Sequence, residues 1–379
     1  MRSGATESPE HPRGAHGGVA ATRSIRRLLL AGRPGALGEA HGARFRHEIR
    51  RYADERVHLA SNGSWAGHAA TREDVLGLAE AMLPAHRAFA PDLYEEMEAM
   101  ARASGLSPAE AVVVGGFTDF VDAVRAQGGS PTQEDDCTAA LVPGNAADGS
   151  AFLAQTWDMH DSATEHVVML ELRPETGPRA LVFSTVGCLG QIGMNDAGIC
   201  VGINNLHAAA GRIGVTWPFV VRKVLQQTDL EAALDCLQGV DLTGAHNYLL
   251  LDGHGRGYNV EAMPAGRNVE ALEEAPLVHA NHCLDDEMRR QEAARPPDLL
   301  DSSHRRLERA REILATAPVT LELLMELTRD PLAICQRSTP PHHIESSGAV
   351  IVSPAAPELW AVWGVPADNP YEHFRFDDG

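Results

Sequence analysis

The chain has 379 residues, 32 basic against 52 acidic side chains, a formal net charge of −20, 44% apolar residues and 22% charged ones. That length supports a full core and about two domains' worth of material. The composition excludes global disorder, no run of about eighteen apolar residues is available to span a bilayer, and the acidity argues against a nucleic-acid or anionic-membrane surface.

In chain order, residues 1–22 are Gly, Ala, His, Ser and Pro with few aliphatic side chains, which predicts a disordered tail. Arg26-Arg27 ahead of Leu28-Leu29-Leu30-Ala31 has the look of a signal start, but Gly32-Arg33-Pro34 ends the apolar stretch too early. We read Ser24 to Leu30 as a strand. Leu37, Ala40, His41, Phe45, Ile49 and Tyr52 recur at helical spacing, with Arg44, Arg46, Arg50 and Arg51 on the other faces. Helices are predicted over 71–83, 91–103 and from Ser107 onward. Thr71 and Ser107 are hydroxyl caps with an acid in the first turn, and Pro108 takes the first helical position. Residues 23–136 therefore read as mainly helical.

The texture changes after Gly128-Gly129-Ser130-Pro131. Short β-type runs follow at 138–142, 151–155, 166–172, 180–185, 198–203 and 247–251. Turns such as Asp148-Gly149 and Asp252-Gly253 between them imply antiparallel hairpins. Amphipathic helices are predicted over 218–227 and 229–238, then over 302–315 and 320–327, before strands at 349–352 and 359–363. This order predicts an α+β fold of two packed sheets covered by helices, in residues 137–379.

Six cysteines (Cys137, Cys188, Cys200, Cys236, Cys283, Cys335) are spread out with no CxxC spacing. That is no disulfide framework, and a reducing, cytoplasmic setting is expected. A lone Cys is ordinarily a small buried hydrophobe. Cys200 and Cys236 read that way, and Cys188, in a glycine-rich stretch, is open to either reading. Cys137 differs, because an acidic linker, Gln133-Glu134-Asp135-Asp136, runs straight into a strand that it begins.

Several motifs occur in a fixed order: Asp136-Cys137-Thr138, Gln155-Thr156-Trp157-Asp158, Gly187 through Gly198, Asn204-Asn205-Leu206, His279-Ala280-Asn281-His282 and Ser302-Ser303-His304-Arg305-Arg306-Leu307. With Gly32-Arg33-Pro34 and Leu37 to Gly42 upstream, residues 25–370 or so resemble the acyl-CoA:isopenicillin-N acyltransferase family (peptidase family C45). These are autoproteolytic acyltransferase/hydrolases of the N-terminal-nucleophile (Ntn) superfamily. The resemblance implies a four-layer αββα Ntn-hydrolase sandwich with a helical N-terminal segment. It also implies self-cleavage between Asp136 and Cys137 into two chains that stay together as a heterodimer.

It further implies that Cys137 is the nucleophile and that its new α-amine, with an intrinsic pKa of about 7.7–8.0, takes the thiol proton. No separate histidine base is then needed. Asp158 would orient the amine or thiol, and Asn281 would donate to the oxyanion. Arg306, with Arg305 as the register alternative, would hold Asp158 or a substrate carboxylate. Thr138, Trp157, Asn204 and Asn205 would line the substrate pocket. The plainer alternatives are a surface-turn acid, turn asparagines and a solvated helix face.

The chain departs from the family pattern at Asp136, where Gly is frequent, and at Ala139, Thr156 and Ala280. These departures leave the acyl donor and the efficiency of maturation open. The expected substrate is a small amide or thioester, with no cofactor, metal, nucleic acid or membrane partner. We expect an amidohydrolase of an N-acylated amine, amino acid or peptide-like molecule. Acyl transfer from a CoA thioester and an uncleaved binding homologue are the alternatives; a bile-salt or penicillin-V hydrolase type is disfavoured by the long segment before Cys137. His279, His282 and Cys283, with His254, are a weak metal candidate because no CxxC or HExxH accompanies them.

Overall fold

The computed structural model describes residues 23–128, 136–147, 149–316 and 318–376. The tail expected over residues 1–22 and most of the acidic linker lie outside them. β1 (Arg26–Gly32) comes first. Helices α1 (Pro34–Arg44), α2 (Arg46–Ser61), α3 (Arg72–Phe89), α4 (Pro91–Ser104), α5 (Pro108–Gly115) and α6 (Phe117–Arg125) follow. Thr71 and Ser107 each close a capping box, with Asp74 and Glu110 returning to the cap N–H. The one helix expected through Leu37 and Tyr52 is two, because Phe45 leaves the helical region (φ −117°, ψ 24°) while its ring is buried.

After the linker come β2 (Ala139–Val142), β3 (Phe152–His160), β4 (Val167–Pro174), β5 (Ala180–Thr185), β6 (Ile192–Asn195) and β7 (Cys200–Leu206). Helices α7 (Trp217–Val224) and α8 (Leu230–Gln238) lead to β8 (Ala245–Leu251), β9 (Gly257–Met263), β10 (Gly266–Ala271) and β11 (Leu277–His279). The chain continues with α9 (Asp286–Arg289), α10 (Pro297–Leu314), α11 (Leu321–Thr328), β12 (Ile344–Ser353), β13 (Glu358–Trp363) and β14 (Glu372–Arg375).

The strands form two sheets, ordered β1-β4-β5-β6-β7-β8-β9-β10 and β11-β2-β3-β12-β13-β14. They pack face to face. A Cβ on Gly348 of β12 would lie 2.5 Å from the Phe183 ring of β5, and Gln155 of β3 accepts from the Ile203 N–H of β7 at 2.8 Å. Helices α10 and α11 cover the smaller sheet. The helices before Cys137, with α7 and α8, cover the larger one, giving the αββα sandwich expected.

The segment before Cys137 is integral to this sandwich. β1 runs parallel to β4 over Arg26↔Val168 to Gly32↔Pro174, unlike the antiparallel pairings of the other described strands. Glu96 of α4 takes both terminal nitrogens of Arg222 of α7 at 2.7 and 2.9 Å, and both side chains are buried. Removing one partner of such a pair costs about 3–5 kcal/mol.

α1 and α4 touch through backbone. A Cβ on Gly38 would sit 1.9 Å from the Glu96 carbonyl oxygen, whereas one on exposed Gly77 of α3 would meet nothing within 4 Å. Gly38→Ala therefore lowers the thermal midpoint, by an overpacking penalty of about 1–3 kcal/mol or more. Gly77→Ala leaves it unchanged or raises it, by up to about 1 kcal/mol. Thermal unfolding of the two variants beside the parent checks both signs.

Candidate active site

Sheet register assembles the site. β2 pairs with β3 as Ala139↔Gln155, and the ladder runs on past the strand end: Thr156 N donates to Thr138 O, and Asp158 N to Asp136 O, both at 2.9 Å. That register sets Trp157 and Asp158 beside Cys137. On its other edge β2 pairs with β11 as His279↔Ala139, so two residues further on Asn281 comes alongside Cys137.

Cys137 is 2% exposed and its backbone is fully engaged. Its N–H donates to Asn281 Oδ1 (2.7 Å), while its carbonyl accepts from Arg306 Nη1 (2.6 Å) and Asn204 Nδ2 (3.2 Å). The peptide group between Asp136 and Cys137 is thus held at both ends, with the Asp158 N–H on its oxygen and the Asn281 oxygen on its nitrogen.

Arg306, fully buried on α10, is the hub. Nη2 donates to Asp136 Oδ1 (2.8 Å) and Asn281 Oδ1 (2.9 Å), Nη1 also reaches Thr138 Oγ1 (3.3 Å), and Nε reaches Ser302 Oγ (3.4 Å). Ser302, one helical turn earlier, donates to Asp136 Oδ2 at 3.3 Å. Arg305, the register alternative, instead lines a surface cleft of about 260 Å³ with Ser302, Gln336 and Arg337.

The Nδ2 of Asn281 donates to Asn205 O (3.0 Å). The residue expected to donate is, through its Oδ1, an acceptor for Cys137 N. Thr138 N donates to Thr156 Oγ1 (3.1 Å), and Trp157 packs edge-on to Phe183.

Asp158 is fully buried and its Oδ1 has no hydrogen-bond partner. Burial pushes its pKa up to about 8; Arg306 and a hydrogen bond to Ser346 oppose that, and the Asp136 carboxylate adds to it. Burial also pushes Cys188 and Cys236 up to about 11, and Cys200 and Cys283 higher still. None of the six cysteines is disulfide-bonded.

A cavity of about 20 Å³, room for about one water, lies where the helical segment meets the sheets. Cys137, Trp157 and Asn205 line it, together with Tyr52, Arg56 and Phe117. His246 also reaches it, but its Nδ1 lies 3.0 Å from Asp119 Oδ1 and its Nε2 3.4 Å from Thr118 Oγ1, so both nitrogens face α6. The metal candidates are otherwise engaged: His279 with Glu261 (2.9 Å) and His282 with Ser303 (2.7 Å). Among the described residues no group of three His, Cys, Asp or Glu is placed to hold a metal ion. Arg56 escaped the sequence reading because one more arginine in an arginine-rich amphipathic helix carries no signal of burial.

The profile of the family described as acyl-coenzyme A:6-aminopenicillanic acid acyl-transferase matches residues 145–368. The 40 kDa form of acyl-coenzyme A:6-aminopenicillanic-acid-acyltransferase from Emericella nidulans is 24% identical over 317 residues, 82% of this chain and 84% of that protein. A variant of the conjugated bile acid hydrolase from Clostridium perfringens covers 64% of this chain and 97% of its own at 10% identity, with a TM-score of 0.43. Penicillin V acylase from Agrobacterium tumefaciens covers 60% and 82% at 12% identity, with a TM-score of 0.37.

The raised pKa of Asp158 has a consequence for stability. The native state keeps a proton that the unfolded chain releases near pH 4, so this group's contribution is fully present below about pH 4. It is lost as pH rises toward about 8. In a Cys137→Ala background, Asp158→Asn should thus gain stability relative to its parent as pH goes from 5 to 8. Urea midpoints at the two pH values check it, and a difference independent of pH would contradict the protonated assignment.

Proposed function

The chain belongs to the acyl-coenzyme A:6-aminopenicillanic acid acyl-transferase family, and from that premise we propose that it is a self-cleaving cysteine amidohydrolase acting through an acyl-enzyme on Cys137. The observation that carries the proposal is the Asp136–Cys137 peptide group, whose carbonyl oxygen accepts from Asp158 N–H and whose nitrogen donates to Asn281 Oδ1.

In the proposed maturation Cys137 Sγ attacks the Asp136 carbonyl carbon, and the Asp158 N–H meets the developing oxyanion. The C–N bond breaks, the thiol proton passes to the departing nitrogen, and Asp136 is left as a thioester. Water releases it as a carboxylic acid and regenerates the thiol. The new α-amine stays on the Asn281 oxygen that already accepts its N–H. With a pKa of about 7.7–8.0 it serves as the internal base for the next attack.

The same atoms then turn over an external amide: the thiol takes the acyl group, the amine leaves, and water completes the cycle. Arg306 and Asn204 hold the Cys137 carbonyl still, while Thr138, Trp157 and Asn205 form the adjoining wall. The β1–β4 ladder and the Glu96–Arg222 pair would keep the two chains together.

A second reading, transfer of the acyl group from a CoA thioester to an amine, rests on what the Emericella nidulans relative is called and on the cleft carrying Arg305 and Arg337. No helix of the described residues is long and apolar enough to cross a membrane. The cytoplasmic location belongs to the proposal, and six cysteines without a disulfide fit a reducing compartment.

Intact mass and a denaturing gel decide the maturation step. The parent should give fragments 1–136 and 137–379, about one third and two thirds of 40.7 kDa, the larger beginning at Cys137. Cys137→Ala should stay whole. A parent that stays whole as well removes the self-cleaving reading.

A further inference from the structure

Arg56 sits on α2 with no solvent exposure. Its Nη2 donates to Ser162 Oγ (3.0 Å) and Glu55 Oε1 (3.2 Å). The guanidinium carbon lies over the rings of Tyr52 (4.6 Å) and Phe117 (5.0 Å). Its Nε and Nη1 have no hydrogen-bond partner. A buried donor left unmatched loses its hydration with nothing in return, the more so when it is charged, so two on one guanidinium call for a partner.

The cavity supplies the context. Arg56 lines it together with Cys137, and no Asp or Glu does. Glu55, the one carboxylate hydrogen-bonded to Arg56, is not part of that wall and is 31% exposed. The aromatic walls fix the guanidinium plane by stacking and give it no lone pairs. Gln191 Oε1 and Asn205 Oδ1, from two other wall residues, also lack partners. The wall thus has two idle charged donors, two idle neutral acceptors and no anion.

We infer that Arg56 is a specificity residue for a carboxylate on the substrate, so that the segment before Cys137 selects what the thiol attacks. This rests on the proposed acyl-enzyme chemistry. A carboxylate is the partner that matches two idle guanidinium donors: its oxygens accept both, and it brings the charge the cavity lacks. As it stands the cavity takes about one water, so on this inference the wall must open before a substrate enters, with Arg56 the one arginine or lysine among its lining residues. A single bridging water is the competing occupant, and it would confer no preference for charge.

The carboxylate can belong to the acyl half or the amine half of the substrate, and two arms separate these. Cleaved parent, Arg56→Met and Arg56→Lys are assayed on glutaryl-p-nitroanilide against valeryl-p-nitroanilide, and on N-valerylglycine against N-valerylglycinamide. In one arm the parent should prefer the carboxylate member at least about tenfold in kcat/KM, the scale of a charged hydrogen bond. The loss in Arg56→Met should fall mainly in KM and erase the preference, and Arg56→Lys should restore part of it.

A parent indifferent in both arms, or an Arg56→Met variant that slows both members of each pair equally, overturns the inference. The second measurement is thermal stabilisation by millimolar glutarate against glutaramide. A glutarate-specific shift in the parent that Arg56→Met abolishes supports the site; equal shifts, or none, overturn it. Intact mass separates this outcome from failure of the cleavage reading: if the parent stays whole, that reading falls, and the glutarate comparison on the whole chain still decides Arg56.

Discussion

A guanidinium taken wholly out of water must find acceptors for its donors or lose more than its packing returns. Arg306 meets that demand with the groups that define the site: the Cys137 carbonyl, the Asp136 carboxylate, Asn281 Oδ1 and the hydroxyls of Thr138 and Ser302. The backbone of Cys137 and the side chains of Asp136 and Asn281 are held by this one side chain. Asp136, Cys137 and Thr138 come from the segment leading into β2, Asn281 from the loop after β11, and Ser302 from the preceding turn of α10. Losing any of them leaves a donor idle in the dry interior. Arg306 therefore couples three elements far apart in sequence into one rigid unit, and the Asp136–Cys137 peptide group lies inside that unit.

The second constraint comes from the other face. Helices before Cys137 complete the cavity wall with Tyr52, Arg56 and Phe117, and β1 adds an edge strand to the larger sheet. On the proposed reading, cutting the chain at Asp136 creates a new terminus without dissolving this packing, because the ladder and the buried Glu96–Arg222 pair need no covalent link. The price of a discardable leader would be an open cavity; retaining the helices closes it and contributes Arg56, the one arginine or lysine among the residues lining it.

Much of this was legible in the sequence, for a physical reason. Antiparallel register between neighbouring β2 and β3 converts a few residues of spacing into contact and sets Trp157-Asp158 beside Cys137, whereas Asn281 was implied by the family resemblance alone, because β11 was not among the predicted strands. The capped helices were equally readable at Thr71 and Ser107. What escaped was what depends on partners remote in sequence. β1 pairs in parallel with a strand about 140 residues away, which no hairpin spacing announces. β10, Gly266–Ala271, has no alternation of apolar residues because its outer edge is exposed. The turn of the Asn281 amide toward Asn205, and the burial of Arg56, follow from packing that the chain order does not encode.

Two carboxylates share one cation at this site, and geometry decides between them. Arg306 hydrogen-bonds to Asp136 but makes no hydrogen bond to Asp158, and burial holds Asp158 protonated to about pH 8. On the proposed reading, self-cleavage overturns that balance. If the Asp136 carboxylate then leaves Arg306, the like charge that raised Asp158 goes with it. A titrating amine appears on Cys137, with an intrinsic pKa of about 7.7–8.0, in the range where Asp158 itself titrates. Both changes stabilise ionised Asp158, so the pH slope it gives the uncut chain should shrink in the cut one. Cleavage would then do more than expose a nucleophile. It would convert a neutral acid into the counter-ion of the new ammonium, and the thiol proton, which passes to the departing nitrogen in the cut itself, would in every later turnover go to the free amine.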